Sequence, residues 1–161
     1  MNRLIALFTK LLFVILCTTV VSCSDDDTQA DMPKHIGTYS FDGKVDGIYS
    51  GAYAVGDIYY QFVFSPSYSL EEHNDMLITL MVSRAFDGVE LDLEWAYHND
   101  DYIFSYEDTL HYYSQYNALK SGKLLVKSIG EGEFLVEMRD VILPDGKEFS
   151  LHFEGELQQA F

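Results

Sequence analysis

The sequence predicts an all-β domain, an antiparallel β-sandwich (jelly-roll or Ig-like) of about eight or nine strands, and three observations point to it. Period-two alternation of apolar and polar residues recurs from His35 onward, and no segment longer than about twelve residues holds an apolar 3.6 period. Asp-Gly pairs stand at 42-43, 46-47, 87-88 and 145-146, and Asp-Gly at the centre of a tight turn supplies the positive φ that type I′ or bulged hairpins require. The candidate strands follow one another at about ten to twelve residues, the cadence of a sandwich or a small barrel. The alternative architecture is a closed calycin- or lipocalin-like β-barrel.

The elements are justified in chain order. Ile58–Phe64 reads as a strand. Ser69-Leu70-Glu71-Glu72 has the capping-box form, which predicts one helical turn over residues 70–74. Met76–Val82 is apolar on both faces and suits a strand in the middle of a two-layer structure. Two of the four Asp-Gly pairs are read as hairpin centres. Ala85-Phe86 and Val89-Glu90 form the arms around Asp87-Gly88, and Val141-Ile142-Leu143 runs through Pro144-Asp145-Gly146 into Lys147-Glu148-Phe149. Glu107–Leu119 is compatible with a short helix that turns Leu110, Tyr113 and Ala118 inward, or with irregular strand. Lys123–Lys127 and Phe134–Met138 make a hairpin across Ile129-Gly130-Glu131-Gly132. The last strand gives the clearest alternation: Phe149, Leu151, Phe153 and Leu157 share a core face, while Glu148, Ser150, His152, Glu154 and Glu156 share a wet one.

The chain has 161 residues, 48% hydrophobic and 15% aromatic, with 10 Lys+Arg against 26 Asp+Glu and a formal net charge of -16. Such a composition excludes a disordered tail and a multidomain enzyme. Its charge repels phosphate backbones and anionic headgroups, so neither nucleic acid nor an electrostatically bound membrane is an expected partner.

The first ten residues carry Arg3 and Lys10, and Leu11–Val21 then runs apolar for eleven residues with no acidic group before Asp25. That is the pattern of a secretory leader, too short to span a bilayer. Val20-Val21-Ser22-Cys23 resembles the lipobox of bacterial lipoproteins, in which a diacylglycerol is attached to the cysteine and cleavage occurs before it. Ser24-Asp25-Asp26-Asp27 resembles the acidic export signal of surface lipoproteins of the Bacteroidetes. The resemblance implies residues 1–22 as signal peptide, Cys23 as the lipidation site, and Ser24, Asp25, Asp26 and Asp27 as a signal sending the protein to the outer face of the outer membrane. Cys17 falls in the discarded leader, which leaves Cys23 as the mature chain's one cysteine. Acyl chains contribute about 0.8 kcal/mol per buried CH₂, so two or more hold a protein on a membrane essentially permanently. Residues 23–34 then form a polar tether, and residues 35–161 a single domain; together these are about 139 residues, enough for one core. From Ser121-Gly122-Lys123 to Phe153-Glu154-Gly155-Glu156-Leu157 the chain also resembles a C-terminal hairpin pattern of small Bacteroidetes lipoproteins, which implies an antiparallel sandwich and no particular activity.

No motif fixes a reaction. GxSxG, Walker and dinucleotide patterns are absent, and the five histidines make no HxH or HxxxH pair, so neither an enzyme nor a metal or cofactor is expected. Glu90, Asp92 and Glu94 alternate with Leu91, Leu93 and Trp95 and would line one strand face about 7 Å apart, as a wet face or, alternatively, as a ligand or acid/base site. His98-Asn99-Asp100-Asp101 offers oxygen ligands in a loop and reads first as a polar turn. Eleven of the twelve tyrosines lie between Tyr49 and Tyr116, and between Val45 and Leu119 thirteen acidic residues face a single base, Arg84. Exposed tyrosine beside carboxylate suits a sugar- or protein-binding face, while tyrosine is also an ordinary strand residue. The expected binding residues are therefore Tyr112, Tyr113 and Tyr116, with Asp100 and Asp101. The function expected is a surface-anchored, non-catalytic binding or accessory module for a glycan or protein partner. The alternatives are a barrel holding a small hydrophobic ligand and a structural part of a surface assembly.

Overall fold

The computed structural model describes residues 34–67, 76–97, 101–108, 111–113 and 119–160. Cys23 and Ser24–Asp27, the turn expected over 70–74, Asp100 and Tyr116 lie outside the described residues. Among the described residues twelve strands form, in the order β1 (Gly37–Phe41), β2 (Lys44–Ile48), β3 (Ser50–Val55), β4 (Tyr59–Ser65), β5 (Leu77–Ser83), β6 (Leu91–Asp92), β7 (Tyr102–Glu107), β8 (Tyr112–Tyr113), β9 (Ser121–Gly130), β10 (Glu133–Ile142), β11 (Glu148–Glu156) and β12 (Gln158–Gln159). Among the described residues one short α-helix, α1 (Leu93–Tyr97), joins them. Nine of these strands have five residues or more, and β6, β8 and β12 are two-residue additions at sheet edges.

The fold is an all-β sandwich of two six-stranded sheets, ordered β2-β1-β11-β10-β9-β6 and β12-β3-β4-β5-β7-β8. All pairs are antiparallel except β12 with β3. Neither sheet closes on itself, which overturns the barrel alternative. Register explains the core. In the first sheet Tyr39, Leu151, Met138, Leu124 and Leu91 stand side by side across five strands, and all five are buried. In the second, one row runs Tyr53, Phe62, Leu80, Phe104 and the next Phe64, Ile78, Tyr106, Tyr113. Rings interlock between the layers: Phe134 packs on Tyr53, Tyr60 and Phe62, Phe153 on Phe64, and Phe149 on Phe104 and Tyr106. Each such aromatic pair adds about 0.5–1.5 kcal/mol beyond its buried area. The described core residues run from Tyr39 to Leu157, so the compact unit Pro33–Phe161 carries its own core.

Turn chemistry sets the connections. Asp42 and Gly43 both take positive φ, 50° and 79°, and close a two-residue hairpin between β1 and β2. The hairpin through Pro144-Asp145-Gly146 forms as expected, with Gly146 at φ 95° and the Gly146 amide donating to the Leu143 carbonyl. So does the β9–β10 hairpin across Glu131-Gly132. The expected hairpin at Asp87-Gly88 does not form. Residues Arg84–Phe86 make a 3-10 turn, and the Asp87 carboxylate accepts from the Ser128 amide and the Tyr60 hydroxyl while Gly88 donates to the Val126 carbonyl. Asp87 therefore stitches the two sheets together and is not the tip of a hairpin. Over Glu107–Leu119, the described residues contradict a helix: Glu107 ends β7 and Tyr112–Tyr113 pair with it as β8.

Candidate functional site

The carboxylate row at 90–94 dissolves in the structure. Alternation stops at Asp92, whose side chain accepts from the Trp95 amide and so opens α1, burying Leu93 and Ala96 one helical turn apart. Glu90 pairs with Arg139, and Asp92 with Lys123 at 2.8 Å. The Lys123 ammonium, aided by the Trp95 amide, holds the Asp92 carboxyl below its ordinary range. A general acid needs a carboxyl shifted the other way, so Asp92 is unsuited to that role, and the three carboxylates no longer share one strand face.

The expected tyrosine face is also divided. Tyr112 is 65% exposed and Tyr113 8%, because successive residues of β8 point to opposite faces and Tyr113 shares the inward row with Tyr106. Asp101 sits at the other end of β7, about 17 Å of strand away, where its carbonyl accepts from the Ser83 amide and its amide donates to the Ala96 carbonyl. Tyr112, Tyr113 and Asp101 do not converge. Of the nine tyrosines whose burial is described, six are buried: Tyr39, Tyr53, Tyr60, Tyr102, Tyr106 and Tyr113. The tyrosine richness of the sequence is chiefly core.

A concavity lies where the β1–β2 hairpin of the first sheet meets Asp108 and His111 at the end of the second. It is a cleft of about 720 Å³, within the range of small-molecule sites. Tyr39, Phe41, Tyr106, Val45 and Met76 give it an apolar floor; Asp42, Asp46 and Asp108 supply carboxylates, and Lys44, Lys147 and His111 the remaining polar groups. Two smaller depressions, around His35 and His152 and around Ser40 and Asp140, have no comparable aromatic floor.

Phe41 is the centre of this cleft. It is half-buried at the last position of β1, directly before the Asp42-Gly43 turn, and Tyr106 stacks on it at 4.8 Å with planes 7° apart. The His111 ring lies 4.9 Å away on the β7–β8 connection and stacks in turn on Tyr113. The Lys147 ammonium stands over the Phe41 ring, 5.0 Å from its centroid. Lys147 is carried there by the Pro144-Asp145-Gly146 turn and also pairs with Asp145 at 3.5 Å.

Around this centre, three phenols each donate to a carboxylate: Tyr39 to Asp46 at 3.4 Å, Tyr106 to Asp108 at 2.8 Å and Tyr113 to Asp145 at 2.7 Å. Asp108 also accepts from the His111 backbone at 2.7 Å and lies 3.0 Å from its Nδ1. Burial, and then the neighbouring aspartate, pushes Tyr39 and Tyr113 up to about 12 and raises Tyr106 as well. The Tyr113 hydroxyl holds Asp145 below its usual value. These phenols stay protonated at physiological pH, and Asp145 stays charged. The cleft therefore combines flat apolar area with fixed acceptors, which is suited to binding. Among the described residues no group of His, Cys, Asp and Glu could hold a metal ion, and no helix is long and apolar enough to cross a membrane.

Sequence reasoning missed Phe41, Asp108, His111 and Lys147. The Asp42-Gly43 pair, flanked by Tyr39-Ser40-Phe41 and Lys44-Val45 as hairpin arms, could have pointed to Phe41, whereas no local signal marks Asp108, His111 or Lys147. Neither a protein-family model nor a curated protein or solved structure matches the chain.

Proposed function

We propose that the protein is a surface-anchored lipoprotein, held in the outer membrane by lipid on Cys23 and facing the cell exterior. In this reading it serves as a non-catalytic module that binds a glycan at the Phe41 cleft. The observation that carries the binding reading is the conjunction of an aromatic floor and buttressed carboxylates in one cleft of about 720 Å³. Ring faces take up the apolar faces of sugars, and carboxylates accept their hydroxyl hydrogens. The localisation rests on Val20-Val21-Ser22-Cys23 and the acidic run after it, and the net charge of -16 leaves the lipid as the membrane contact.

A thermal-shift panel on residues 33–161 tests the binding reading. Oligosaccharides should raise the melting temperature in a concentration-dependent way, and Phe41→Leu should abolish the rise; no shift with any sugar contradicts it. For the anchor, Cys23→Ala should abolish fatty-acid incorporation and release the protein from the membrane fraction. Unchanged lipid labelling would contradict that assignment. A second reading, a docking part of a surface assembly, has the 63%-exposed Trp95 on α1 as its observation. Cross-linking in cells that captures a partner through position 95, with no sugar response, would favour it.

A further inference from the structure

We infer that the Phe41 cleft selects ligands that carry an ammonium group, such as amino sugars with free amines, and that Lys147 occupies the ammonium position until such a ligand displaces it. The inference rests on the reading of this cleft as a glycan site and names the ligand class. The cleft already holds a cation on an aromatic ring: the Lys147 Nζ lies 5.0 Å from the Phe41 centroid. Ring quadrupoles attract ammonium groups at this range.

The surroundings favour a cation over an anion. Asp42, Asp46 and Asp108 line the cleft, and Asp145 stands behind Lys147. Lys44, the cleft's other ammonium, is exposed on β2. With Lys147 swung out, the lining carries three carboxylates against that one lysine. A ligand carboxylate would meet this negative field, and a neutral sugar would leave it uncompensated. Lys147 is half-buried on a flexible stem that follows the Pro144-Asp145-Gly146 turn, so its ammonium can swing off the ring.

The test is calorimetric titration of residues 33–161 near neutral pH with three probes of equal length: glucosamine hexamer, N-acetylglucosamine hexamer and galacturonate hexamer. The glucosamine probe should bind about tenfold tighter than its acetylated counterpart, which corresponds to about 1.4 kcal/mol, and should weaken as salt is added. Lys147→Met should tighten glucosamine binding about threefold by removing the resident competitor, with a retained cooperative melting transition showing that the fold is intact. Equal binding of the acetylated probe, tighter binding of galacturonate, or weaker glucosamine binding by Lys147→Met overturns the inference and leaves the glycan reading standing. Failure of all three probes to bind overturns the inference, and the glycan reading falls with it when the oligosaccharide panel also gives no shift.

Discussion

Tyr113 shows how a residue's neighbours decide its meaning. Its ring is buried beside Tyr106, yet its hydroxyl reaches Asp145 across 2.7 Å. Burial and that carboxylate together raise its pKa to about 12, and burial and Asp46 do the same for Tyr39. An unfolded tyrosine titrates near 10, so between pH about 10 and about 12 the folded chain binds more protons than the unfolded one. Stability from these phenols is fully present below pH 10 and is lost as pH rises through 12. The denaturation midpoint should accordingly stay level up to about pH 10 and fall beyond it, together with the appearance of phenolate absorbance. Tyr113→Phe should lower stability near neutrality by about 1 kcal/mol and flatten that alkaline fall; an equally steep fall in the variant would contradict this assignment. Composition made the tyrosines conspicuous, but exposure depends on register, and only the pairing of Tyr113 with Tyr106 sends it inward. Tyr39, the one tyrosine outside the rich segment, turned out to line the cleft.

At the scale of elements, legibility followed the strength of local patterning. The alternation of Phe149, Leu151 and Phe153 was written plainly because one face of β11 is core and the other water. The segment from Glu90 to Tyr97 misled because Leu91 and Leu93 alternate like a strand, while Asp92 can cap a helix and Ala96 follows Leu93 at a helical interval. Asp-Gly pairs were equally ambiguous: 42-43 closes a hairpin, whereas at 87-88 the aspartate is consumed by Ser128 and Tyr60. A bulge marks β10, where register shifts between Met138 and Val141 and Asp140 takes φ 53°. It lets Met138 and Val141 both face the core, and Gly122 on β9 accommodates it. Gly122 has φ 138°, and a Cβ there would lie 2.8 Å from the Val141 side chain and 2.9 Å from its Cα. Gly122→Ala should therefore cost about 1–3 kcal/mol from backbone strain alone, read as a lower denaturant midpoint at unchanged slope. An unchanged midpoint would show that the bulge has slack.

For the whole molecule, two sheets share one aromatic core, and the cleft opens where the β1–β2 hairpin of one meets the β7–β8 connection of the other. The sandwich was legible because turn spacing and period-two alternation are local signals. The cleft was not, because its parts come from positions 39–46, 76, 106–111 and 147, and only the strand pairing brings them together. Ten basic residues serve the whole chain, and two of them, Lys44 and Lys147, line this cleft. The measurement that tests the central claim most directly is a nuclear magnetic resonance titration of isotopically labelled residues 33–161 with an oligosaccharide that raises the melting temperature. Binding at the cleft predicts shift changes concentrated on the backbone from Tyr39 to Asp46, on Tyr106, Asp108 and His111, and on Lys147. Changes centred instead on α1 and Trp95, with the hairpin at Asp42-Gly43 unmoved, would contradict the account.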